Sequence, residues 1–346
     1  MAILIDPPGW PTGGTLWSHL VSDRDYDELH VFAGRLPLPR RSFDLDHYDV
    51  PARLYERAVA LGARPVGPKD IVHRLRDAGL RVRQKERDAV RPVRRRQYLR
   101  AEWTGLGALI GVGGAAHRDR HRRRQADDWQ RLGDDLLARW NEPHRRYHDE
   151  RHLEDVLLAL DHLAIRGERL SPATLLAAWF HDAVYAGRGG TGPEGRSATD
   201  SAGPQARLAA DTDEVESARI ATGALSAFDL EPGTIRLVGS LIVETTPARS
   251  IADPDPALAH LLDADLAIFA SPAPRYDQYA RAVRAEYAHV PAADFAAGRA
   301  GILRGYLERP MIYRSDAAQR LWEERARANV EREVAELLSS GGDPLR

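Results

Sequence analysis

The C-terminal two-thirds of this 346-residue chain places histidines and aspartates inside otherwise apolar runs. His152 lies in YHDERHLEDVLLALDHL, His181 and Asp182 are adjacent in SPATLLAAWFHDAV, and Asp263 and Asp265 interrupt LLDADLAIF. Such side chains are costly to bury without partners. Imidazole nitrogen and carboxylate oxygen together suit one divalent ion such as Mn, Mg, Co, Ni, Fe or Zn, and helices hold such ligands rigidly. The chain has no cysteine, so thiolate nucleophiles, disulfides and cysteine-ligated zinc are excluded and any metal must sit on His, Asp or Glu.

The segments that must position these groups read as amphipathic helices from about Gln125 onward. His148 and His152 are one turn apart, and Val156, Leu157 and Leu160 supply the apolar stripe, which puts His152 at the edge of a core. His148 reads equally well as a partly exposed histidine near a helix start. Ser171-Pro172 offers an N-cap with proline at the first helical position, and Glu231-Pro232 and Ser315-Asp316 start two further helices. Asp263 and Asp265 are too far apart in angle to share a face, so one of them points inward. Residues 186 to 211 are dense in Gly, Ser, Thr and Pro and lack periodicity, which predicts a flexible loop.

A His followed by three residues and Val, a helix ending in His-Asp, and an Asp on a later helix resemble the H...HD...D signature of the HD superfamily of metal-dependent phosphohydrolases. AWFHDAVY, DEVESA, ADLAIF, YDQYARAVRAEY and ARANVEREV extend that resemblance over about residues 125 to 338. It implies an all-α HD-type domain with His152, His181, Asp182 and Asp265 as metal ligands, Asp263 being the alternate for the last. Relatives commonly carry a histidine soon after the threonine of the helix matching LIVETTPAR. None stands here, which implies one metal rather than two. The implied reaction is hydrolysis of a phosphate ester or anhydride, above all of a nucleotide. A bound divalent ion would lower the pKa of its water from 15.7 toward about 7. Asp182 or Glu214 would orient that water or protonate the leaving oxygen. Arg284, Glu286 and Tyr287 of the RAEY element would contact substrate, the arginine gripping a phosphate.

Residues 1–82 read as a small α/β domain, from the strand-like AILI to a helix pattern over Lys69 to Ala78. The unit resembles a small bacterial domain of unknown function. Its polar groups cluster in IDPPGWP, WSHLVSD and FDLDHYDVP: Asp6, His19, Asp23, Asp44, Asp46, His47 and Asp49. Asp6, His19, Asp46 and His47 are the candidates for a site there, because Asp6 follows a strand, where α/β folds place ligand-binding groups. The competing reading is that these residues cap turns and helices.

Residues 83–124 are expected to be an arginine-rich linker between that domain and the HD-type domain of 125–346. Residues 81–124 hold fourteen Arg or Lys against four Asp or Glu, although the whole chain carries only −2. RPVRRRQYLR and HRDRHRRR, with Tyr98 and Trp103 for stacking, suggest nucleic acid as a second partner beside a small phosphorylated substrate. A nucleic-acid-binding or nucleotide-sensing protein that uses the HD fold as a scaffold is the alternative to an enzyme. The first residues lack the basic start and apolar core of a signal peptide. The longest apolar stretch, Leu106 to Ala116, is too short and glycine-rich to span a bilayer. The sequence thus reads as cytoplasmic, with no membrane partner.

Overall fold

A computed structural model describes residues 2–12, 15–112, 120–186, 213–246 and 254–340. The expected loop of 186 to 211 therefore lies outside the described residues apart from its first position. The chain divides into two compact units, Met1–Tyr98 with Ala164–Gly167, and Leu99–Leu163 with Glu168–Arg346. The first is a small sheet with helices and the second is helical. Among the described residues no helix is long and apolar enough to cross a membrane.

The sheet unit contains β1 (Ile3–Ile5), β2 (Trp10–Thr12), β3 (Thr15–Ser22), α1 (Tyr26–Arg35), β4 (Tyr48–Pro51), α2 (Tyr55–Ala60), β5 (Arg64–Pro65) and α3 (Pro68–Asp77). β3 is the central strand. Its first half pairs antiparallel with β2 and its second half with β1, while β4 runs antiparallel along the other edge; β5 is parallel to β1. The two-residue period of the strands sorts their apolar side chains between two cores. Ile3, Ile5 and Leu20 pack with Leu29, Phe32 and Ala33 of α1, whereas Leu4 and Val21 pack with Ile71 and Leu75 of α3. Leu45 adopts left-handed backbone (φ 67) directly before Asp46, a conformation that residues with a Cβ seldom take.

The helices continue with α4 (Arg87–Leu109), which runs across the boundary between the units, and α5 (Arg120–Trp140). The segment expected to be a linker is thus helical over most of its described length. Trp103 of α4 stacks on Trp129 of α5 with ring centroids 4.0 Å apart. Each indole N–H donates to the other residue's carbonyl, at 2.7 and 2.9 Å. Gly107 and Gly133 permit this approach: a Cβ on Gly133 would stand 2.3 Å from the Trp103 ring, and one on Gly107 2.5 Å from that of Trp129.

The rest of the helical unit is α6 (Glu150–Ile165), α7 (Pro172–Phe180), α8 (Asp213–Leu225), α9 (Pro232–Val243), α10 (Pro256–Asp265), a short 3-10 turn (Leu266–Ala270), α11 (Ala273–Glu286), α12 (Ala292–Leu307) and α13 (Asp316–Ser340). The Ser171 hydroxyl accepts from Thr174 N–H and Pro172 opens α7, as the sequence predicts. α9 and α13 likewise start at Pro232 and Asp316. α7 is buried along nearly its whole length, with Leu176, Ala177, Ala178 and Phe180 inaccessible to solvent. Its last turn therefore delivers His181 into the core.

Candidate metal centre

His152, in the first turn of α6, and His181, at the end of α7, meet with their Nε2 atoms 3.2 Å apart. Asp265, the last residue of α10, places Oδ1 3.1 Å from His152 Nε2 and 3.7 Å from His181 Nε2. Asp182 Oδ2 lies 3.3 Å from His181 Nε2 and 3.6 Å from His152 Nε2. Ligands about 2.1 Å from one ion and 90 to 110° apart stand about 3.0 to 3.4 Å from each other. Three of the five observed spacings fall in that range and the other two, 3.6 and 3.7 Å, lie just above it, a near fit to a divalent cation.

The protons point the same way. His181 Nδ1 donates to the carbonyl of Ala178 at 2.9 Å, which leaves the lone pair on Nε2 facing His152 Nε2 and the two carboxylates. One proton can bridge one of these pairs, but a cation satisfies them all. His152 Nδ1 is buried without a hydrogen-bond partner among the described residues; its ring is set instead by packing against Tyr147 and Trp140. Burial opposes charge on the His181 ring, yet Asp182 and then Asp265 outweigh it and raise its pKa to about 9. Burial likewise opposes charge on Asp265, but His152 and His181 hold it well below the usual carboxylate range. The pocket favours positive charge at its centre.

Asp263 is occupied elsewhere. Its carboxylate accepts from the backbone N–H of Arg314 and Ser315 and from the Ser315 hydroxyl, at 2.7, 2.8 and 2.7 Å. It anchors the segment between α12 and α13, and Asp265 is the aspartate that faces the histidines. Beside Asp265 is a pocket lined also by Thr245, Thr246, Tyr306, Arg309 and Arg314. Burial, and after it the neighbouring Arg309 charge, depress the Arg314 guanidinium. Sequence reasoning passed over Arg309 and Arg314, which flank PMIY in a helix–helix connection where two basic residues carry no periodic signal.

The other expected site residues have bonding partners within the fold. One Glu286 oxygen accepts from the backbone N–H of Arg146, Tyr147 and His148 at 2.7, 2.8 and 3.0 Å, and the other meets His148 Nδ1 at 2.7 Å and the Tyr185 hydroxyl at 3.0 Å. Burial opposes its charge, but His148 and these amides lower its pKa to about 2. Arg284 donates to the carbonyls of Tyr287 and Val290 and so closes the end of α11, where Tyr287 is the cap residue. Glu214 is half-buried in the first turn of α8, and among the described residues no hydrogen bond or ion pair joins it to the four ligands. Its neighbours act instead: Asp213 accepts from Ala186 N–H and the Ser217 hydroxyl from Val184 N–H, which fixes the turn after Asp182.

Arg145 is a further positioning residue that the sequence did not single out. Its side chain is fully buried, and it donates to the carbonyls of His148, Asp182 and Ala183, tying the entry to α6 to the His181-Asp182 turn. Of the aromatic groups proposed to stack on bases, Tyr98 and Trp103 are both buried.

In the sheet unit, Asp6 bonds His19 and Asp46 bonds His47, with the two imidazoles in edge contact. Asp23 and Asp44 do structural work, accepting from Ala2 N–H and pairing with Arg87 respectively.

Residues 3–78 match a family model described as "Protein of unknown function (DUF4031)". The match covers the sheet unit and carries no activity with it. No curated protein and no solved structure matches the chain.

Proposed function

We propose that the helical unit is an HD-type, metal-dependent phosphohydrolase that cleaves a phosphate ester or anhydride, with a nucleotide as the substrate class its resemblance implies. The observation that carries this reading is the convergence of His152, His181 and Asp265, whose ligand-capable atoms all lie within 4.8 Å of one another, with Asp182 reaching both imidazoles at 3.3 and 3.6 Å. Bound there, one divalent ion would polarise a phosphate oxygen and supply hydroxide near neutral pH.

The chain's own residues do the rest. The hydrogen bond from His181 to Ala178 keeps Nε2 available as a ligand, and Arg145 fixes the backbone of Asp182. Asp182 has one carboxylate oxygen turned to the imidazoles; the other is the group that orients water or hands a proton to the leaving oxygen. Arg309 and Arg314 hold the phosphate in the pocket beside Asp265, replacing Arg284 in that role.

The test is metal analysis of the purified protein, followed by a panel of phosphate esters and nucleotides with Mn, Mg, Co or Ni, beside Asp182→Ala. Expected are metal-dependent turnover by wild type, its loss in the variant, and a KM about tenfold higher in Arg314→Ala. A wild type that retains no metal and matches Asp182→Ala on every substrate overturns the reading.

A further inference from the structure

The sheet unit gathers a second set of metal-binding groups, independent of the helical centre. His19 on β3 and Asp49 on β4 are directly opposed in the antiparallel ladder. His47 stands one residue before β4, two positions from Asp49, so the strand period brings both to one side. Ligand-capable atoms of His19, His47 and Asp49 all lie within 4.8 Å of one another.

Both imidazoles are backed by buried carboxylates. Asp6, 1% exposed, meets His19 Nδ1 at 2.9 Å with Oδ2, while its Oδ1 accepts from the backbone N–H of His19 at 2.5 Å. Asp46, fully buried, meets His47 Nδ1 at 2.6 Å with Oδ1, while its Oδ2 accepts from Arg81 and from Val82 N–H at 2.7 and 2.8 Å. An ionised carboxylate only accepts, so each Nδ1 carries hydrogen. The lone pair of each neutral ring is then on Nε2, the arrangement found where an outer carboxylate orients a metal-bound histidine. His47 Nε2 stands 3.5 Å from Asp49 Oδ1, a gap that a cation, or a proton on the ring, would bridge. The side chains of His47, His19 and Asp49 are 15%, 26% and 45% exposed, so this face is open while the carboxylates behind it are sealed.

We propose that His19, His47 and Asp49 bind a divalent transition-metal ion, with Asp6 and Asp46 orienting the two imidazoles rather than ligating. Two nitrogens and one oxygen select Mn, Fe, Co, Ni or Zn over Mg and Ca, which prefer oxygen throughout. With three protein ligands on an accessible face, the remaining coordination positions are open to water or a small anionic ligand. The competing state is a proton on each ring, which would make these groups plain ion pairs.

The experiment uses the full chain, stripped by a chelator and titrated with Co(II) near neutral pH by calorimetry and visible absorption. Wild type is expected to bind one more equivalent than His19→Ala/His47→Ala. Asp6→Asn, which keeps all three ligands, is expected to weaken that equivalent about 10- to 100-fold. Asp49→Asn, at the most exposed ligand, decides the matter if the double variant fails to fold, and should weaken it at least about tenfold. Equal stoichiometry in wild type and a folded double variant, or unchanged affinity in Asp49→Asn, overturns the proposal. Asp265→Ala should retain this equivalent, so failure of the helical centre is read separately.

Discussion

The two units assemble the same kinds of metal-capable side chain by opposite means. In the helical unit, α6, α7 and α10 each deliver a group to a buried point, and the histidines are set by a backbone carbonyl and by aromatic packing. In the sheet unit, His19, His47 and Asp49 come from adjacent strands, and a buried carboxylate fixes each imidazole directly. A helical site therefore depends on long-range packing and on residues that hold backbone. A sheet site depends on ladder register and on side chains that touch the ligands.

The strongest way to break this contrast is Asp265→Ala. It removes one of the proposed ligands of the helical centre and leaves every residue of the sheet unit unchanged. Metal at the helical centre and the turnover proposed for it should fall by more than about 100-fold, since loss of an outer partner alone costs about 10- to 100-fold. Metal analysis and single-turnover assays check this, and full retention of both would remove Asp265 from the site.

Two residues away, the expected effect changes in kind. Asp263→Ala strips a buried acceptor from the amides of Arg314 and Ser315 and from the Ser315 hydroxyl. Leaving such donors unpaired should cost about 2 to 4 kcal/mol. Denaturant unfolding should register that loss, and KM should rise because Arg314 is no longer held beside the pocket, while metal content stays near wild type. If Asp263→Ala instead loses metal and keeps its stability, the assignment of the two aspartates is reversed.

The difference between these neighbours also marks what a sequence can carry. His181-Asp182 stood out because a polar pair ends an apolar helix, and the Ser171-Pro172 start of α7 was readable from local chemistry. The choice between Asp263 and Asp265 was not, because the donors that occupy Asp263 lie on a segment some fifty residues downstream. Glu286 belonged to a recognisable element, yet its partners are backbone amides at 146 to 148, which no side-chain pattern announces. Arg145 was passed over because a lone arginine near a helix start reads as solvated until the carbonyls it meets are known. A further signal is legible in the spacing of tryptophan and glycine. Trp103 and Gly107 share the spacing of Trp129 and Gly133, and that repeat is the stacked pair that buries part of the arginine-rich segment.

The smallest expected effect concerns Glu286, which supports the helical centre through the backbone amides leading into α6 and through the His148 ring. In an unfolded chain its carboxyl titrates near 4.5, and in the folded protein at about 2. Between those values the unfolded state binds more protons, so this stabilisation is complete above about pH 4.5 and is lost as pH falls toward 2. Its partner His148 is shifted upward from 6.5: burial opposes its charge, but Glu286 and then Asp182 outweigh it. That contribution is complete below 6.5 and is lost as pH rises through the raised value. Both act between about 4.5 and 6.5. Glu286→Gln should flatten the acid limb of the stability–pH curve and lower unfolding free energy in that window by on the order of 2 kcal/mol. Metal binding at neutral pH should weaken less than in Asp265→Ala. An unchanged acid limb, or metal loss as complete as that of Asp265→Ala, would mean that Glu286 is more than a clamp on the segment leading into α6.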